Sequence, residues 1–91
     1  MHKVSAAVRS THGMDGAIVL DVRQGQMFNL NLVGSRILEL LELGSTEPEI
    51  VNMVTHEFSV SRDIVEKDVR EFIEALARYK LVENRDSDGT N

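Results

Sequence analysis

Residues 17–31, Ala17-Ile18-Val19-Leu20-Asp21-Val22-Arg23-Gln24-Gly25-Gln26-Met27-Phe28-Asn29-Leu30-Asn31, decide the fold. The first six are rich in β-branched side chains and predict a strand, and Arg23-Gln24-Gly25 is a turn in which Gly25 can take the positive φ of a tight hairpin. Gln26 to Leu30 is then the returning strand. Side chains alternate across a strand, so Phe28 and Leu30 share one face, the expected core face, while Met27 and Asn29 share the other. Asn31 suits a helix N-cap, because its side-chain oxygen can accept from a free backbone N–H of the first turn. Upstream, Val4, Ala6 and Val8 alternate with Ser5, Ala7 and Arg9, which predicts a first strand ending at the breaker cluster Ser10-Thr11-His12-Gly13.

Downstream of Asn31 the hydrophobic period changes from two to 3.6. Val33, Ile37, Leu40 and Leu41 line one face of a first helix, which Gly44 is placed to end in a left-handed conformation. Thr46-Glu47-Pro48-Glu49 reads as a capping box with proline in the first turn of a second helix, whose apolar side is Ile50, Val51, Val54 and Phe58. After Ser59-Val60-Ser61 a third and longest helix carries Val65, Val69, Phe72 and Leu76 in one stripe, with Ile73 beside them, and should end near Tyr79. Residues 83–91 contain no apolar side chain. The expected architecture is α+β and winged-helix-like, a three-stranded antiparallel sheet followed by three helices (βββααα), with one domain over residues 1–83 and a flexible tail over 84–91.

Composition bounds the function. A chain of 91 residues with 42% hydrophobic content holds one core, and that core is aliphatic, since there are three Phe, one Tyr and no Trp. Without cysteine there are no disulfides, thiolate metal clusters or cysteine nucleophiles, which fits a cytoplasmic protein. No apolar run reaches the roughly 18 residues of a membrane span. His2, His12 and His56 lack metal-ligand spacing, no hydroxyl residue has a motif-placed base, and the glycines form no phosphate loop. The expectation is therefore a binding module with no catalytic residues, no metal and no cofactor.

Two features can make a binding site. The last strand of a three-stranded meander lies at an edge and offers unpaired backbone groups to an extended chain. On the third helix, Ile64, Asp68, Ala75 and Tyr79 run along one margin of the apolar stripe and can wall a groove. The plainer alternative is that the stripe is only core and Asp68 only a solvated charge. A winged helix would also use this third helix to read DNA. Between Ser61 and Lys80, however, five basic residues are balanced by five acidic ones, and residues 37–91 carry thirteen acidic groups against six basic, so nucleic acid is a poor partner.

The run Asp15-Gly16-Ala17-Ile18-Val19-Leu20-Asp21, then Gly25-Gln26-Met27-Phe28-Asn29-Leu30-Asn31, Gly34 and Ile37-Leu38-Glu39-Leu40-Leu41, resembles the PqqD family. So does Val65-Glu66-Lys67-Asp68-Val69-Arg70-Glu71-Phe72 followed by Leu81-Val82, and the likeness covers roughly residues 3–83. Its most specific element is G-x-x-F-x-L-N-x-x-G, from Gly25 to Gly34. The resemblance implies a peptide recognition element for ribosomally made, modified peptides. Such a protein binds the leader of a precursor peptide and presents it to a modifying enzyme, a radical S-adenosylmethionine maturase or a leader peptidase. It further implies that the leader adds as an antiparallel strand beside helix three, touching Met27, Phe28, Asn29, Leu30, Val65, Asp68, Val69, Phe72 and Leu76. One departure is Lys80, where similar sequences often carry glycine before Leu-Val.

Overall fold

The computed structural model describes residues 2–84. The elements run β1 (His2–Val4), β2 (Val8–Gly13), β3 (Gly16–Asp21), β4 (Gln26–Leu30), α1 (Leu32–Glu42), α2 (Glu47–Phe58), α3 (Arg62–Arg78) and β5 (Val82–Asn84). Strands β2, β3 and β4 form an antiparallel meander in that order, which leaves β4 at an edge. A second, two-stranded sheet joins the ends of the chain, with His2 opposite Asn84 and Val4 opposite Val82. The α+β architecture is as expected, a three-stranded antiparallel sheet followed by three helices, with this small second sheet added.

The local signals acted where they were read. The Asn31 side chain accepts from the Gly34 N–H at 2.8 Å. Thr46 and Glu49 satisfy each other's backbone donors at 3.3 and 2.8 Å, with Pro48 in the first turn. Two such caps contribute about 1 kcal/mol each. Helix α1 ends in a Schellman motif in which Gly44, at φ 87°, donates to the Leu41 carbonyl and Ser45 to that of Leu40.

The first strand differs from its reading. Val4 to Val8 is not one strand; it divides between β1 and the start of β2, and the supposed breaker Ser10-Thr11-His12-Gly13 is the body of β2. The reason is that the inward face of β2 is polar. Ser10 donates to Glu42 of α1 at 2.8 Å, and the ring of His12 lies between the Ser35 hydroxyl, 2.7 Å from Nδ1, and Glu42, 3.3 Å from Nε2. Val8, Ser10 and His12 alternate inward like any strand, but side chains satisfied by a distant helix hide the apolar period. Of the residues expected in the tail, Asn84 is the last of β5, and the others lie outside the described residues.

The core lies between the inner face of the sheet and the helices. Val19, Ile37, Leu38, Leu40, Ile50, Val54 and Val69 are each at most 2% exposed. Arg36 ties α1 to α2 through two 2.9 Å bonds to Glu57, and a 2.8 Å bond to Glu39 on its own helix holds it in place. Those bonds raise the Arg36 guanidinium and hold the Glu57 carboxyl below its usual range.

Candidate functional site

Helix α3 runs alongside the free edge of β4 and leaves a groove between them. At one end Met27 and Phe28 face Ala75, Leu76 and Tyr79 across an apolar hollow of about 430 Å³ floored by Val19 and Leu81. At the other, Asn29, Leu30 and Asn31 face Asp68, Glu71 and Phe72 across a hollow of about 490 Å³ that reaches Gly34. Asn29, Leu30 and Phe72 line both, so the two hollows are one channel. An extended chain laid there would meet unpaired strand backbone on one side and helix side chains on the other.

Three contacts fix the spacing of the walls. At the hairpin end, Asp21 accepts from the backbone N–H groups of Arg23 and Gln24 at 3.0 and 3.2 Å and from the Gln24 side-chain amide at 2.8 Å. Asp21 is fully shielded from solvent. That burial pushes its carboxyl up, yet the hydrogen bonds from Gln24 and Arg23 outweigh it and hold the group below the usual carboxylate range. The ordered turn then reaches the residues that close α3, where Arg23 and Gln24 donate to the carbonyls of Lys80 and Tyr79, each at 3.4 Å. In the apolar hollow at the same end, the rings of Phe28 and Tyr79 meet at 5.0 Å with their planes tilted by 55°. At the far end Phe72 packs against Gly34, where a Cβ would lie 3.3 Å from the ring. Glycine there lets α3 close on α1 and sets the floor of the channel.

Of the residues read as the site, Met27, Phe28, Asn29, Leu30, Asp68, Phe72 and Leu76 come together in this groove. Val65 and Val69 do not. They are buried against Val33, Ile37, Val54 and Phe58, beneath α1 and α2. The stripe on α3 is wide enough to serve two surfaces, so its Val65 and Val69 side is core while Phe72, only half-buried, turns to the channel. Ala75 and Tyr79, read as the margin of the stripe, line the groove, whereas Ile64 does not. Glu71 was missed, because charges at helical spacing on a solvated face carry no mark of the strand opposite. Among the described residues no group of His, Cys, Asp or Glu is placed to hold a metal ion, and no helix is long and apolar enough to cross a membrane.

Residues 16–82 match the family model described as coenzyme PQQ synthesis protein D (PqqD). The structure of TbiB1 in complex with the TbiA(beta) leader peptide is similar at 45% sequence identity and a TM-score of 0.84, over 90% of this chain and 95% of that one. A lasso peptide synthetase B1 complexed with the leader peptide shares the fold at 20% identity, with a TM-score of 0.81 over 91% of this chain and 98% of that one. No match was found among curated proteins. The family match runs from the start of β3 through the end of α3 and takes in both walls of the groove, and on that extent the chain belongs to the PqqD family.

Proposed function

We propose that this protein binds the leader segment of a ribosomally made precursor peptide and presents it to a separate modifying enzyme, a radical S-adenosylmethionine maturase or a leader peptidase, without chemistry of its own. The leader docks as an antiparallel strand on β4, in the channel closed by α3. The observation that carries this reading is the coincidence of an unpaired strand edge with an adjoining apolar channel. Backbone pairing supplies affinity that tolerates varied sequences, and the hollow at Leu76 and Tyr79 supplies the register by taking an apolar side chain. Support comes also from TbiB1, 45% identical and solved with a leader peptide.

Calorimetric titration of the TbiA(beta) leader peptide tests the reading. Saturable one-to-one binding is expected. Ala75 is half-buried in the wall of the channel, and Ala75→Arg places a charged side chain where the apolar one would sit. It should weaken binding more than about tenfold while the melting temperature stays close to wild type. Equal affinity for the two proteins contradicts the assignment of the channel.

A further inference from the structure

The two ends of the channel differ in charge. Among the described residues, Asp68 and Glu71 line the Leu30 end, neutral residues line the Met27 end, and no lysine or arginine lines either hollow. Both carboxylates are exposed. Glu71 has a loose intrahelical ion pair with Lys67 at 3.7 Å, with both side chains more than half exposed, and Asp68 has no ion pair or hydrogen bond among the described residues. A bound strand would cover this end of the channel and strengthen any charge contact by excluding water. It would therefore favour a cation opposite these groups and penalise an anion.

Direction follows from topology. Helix α3 runs opposite to β4, since Asp68 and Glu71 flank Asn29 to Asn31 while Ala75 and Tyr79 flank Met27 and Phe28. A strand antiparallel to β4 therefore enters at Asp68 and leaves at Tyr79. From Asp68 to Leu76 the helix rises about 12 Å, roughly the span of four strand residues. Side chains two or four apart share a strand face.

We infer that this channel selects a leader carrying a lysine or arginine two or four residues N-terminal to the apolar side chain that fills the Leu76 and Tyr79 hollow, and that Asp68 and Glu71 are the residues that select it. This rests on the leader-binding reading above. The charge fixes polarity, which backbone pairing alone leaves open, because an edge strand can pair in either direction.

The test is a scan of the TbiA(beta) leader peptide with single lysine and single glutamate substitutions at each position, titrated against wild type and Asp68→Asn/Glu71→Gln. Melting curves establish that the double variant is folded. One position in the N-terminal part of the bound segment should gain about three- to tenfold with lysine and lose as much with glutamate. Both effects should vanish in the double variant and shrink at high salt. A flat scan, or a lysine gain only C-terminal to the apolar anchor, overturns the inference while leaving leader binding intact. Failure of the parent peptide to bind contradicts the leader-binding reading and this inference with it.

Discussion

Lys80 holds φ at 63°, in the position after the α3 C-cap that Gly44 occupies after α1. Its N–H donates to Ala77 at 3.0 Å and that of Leu81 to Leu76 at 2.8 Å, the same Schellman bonding that closes α1. A side chain in the left-handed region costs about 1–2 kcal/mol, partly offset because glycine is freer in the unfolded chain. Lys80→Gly should therefore stabilise the protein by about 0.5–1 kcal/mol, read as an increase in the denaturation midpoint at unchanged slope. Asp21 gives a pH prediction. A carboxylate whose folded pKa is depressed stabilises the fold above its unfolded pKa, near 3.9, and that stability is lost as pH falls through the folded value. Melting temperatures taken downward from about pH 5 should fall, and the Asp21→Asn variant should lack part of that fall. Identical pH profiles would show that the carboxylate bonds to Arg23 and Gln24 contribute nothing.

At the scale of elements, the legible parts were those with local causes. Asn31, the Thr46 to Glu49 box and Gly44 sit within a few residues of the groups they satisfy, so the ends of α1 and the start of α2 could be placed from sequence. Strand β2 could not, since its polar inward side chains depend on Ser35 and Glu42, more than twenty residues away. The β1 and β5 pair joins the two ends of the chain and has no local signal at all. Within the groove, helical spacing placed Asp68, Ala75 and Tyr79 on one margin of the stripe, where they line its wall, but which side of the stripe meets the sheet depends on how α3 packs on α1 and α2. That is why Val65 and Val69 were grouped with residues they do not join. The edge itself is testable. On adding the TbiA(beta) leader peptide, backbone amides of β4 that face the open edge should slow in hydrogen exchange, whereas those of α2 should not change. Protection spread evenly over all elements would indicate general stabilisation instead of strand addition.

For the whole molecule, charge separates peptide binding from the DNA-reading alternative of a winged-helix-like chain. The net charge is −5, and the groove presents carboxylates with no cation lining it among the described residues. Affinity for random duplex DNA at physiological salt should be weaker than the ~10⁻⁴ to 10⁻⁶ M of nonspecific binders. A mobility shift at low micromolar protein with steep salt dependence would overturn this. Peptide binding, in contrast, should raise the stability of so small a domain by mass action, because the leader adds buried surface to the folded state alone. The account turns on where the peptide lies. Its most direct test is an amide chemical-shift titration of the isotope-labelled protein with the TbiA(beta) leader peptide. The largest shifts are predicted on Met27 to Leu30 and on the α3 face from Asp68 to Tyr79; shifts confined to α2 or β2, with β4 unmoved, would contradict it.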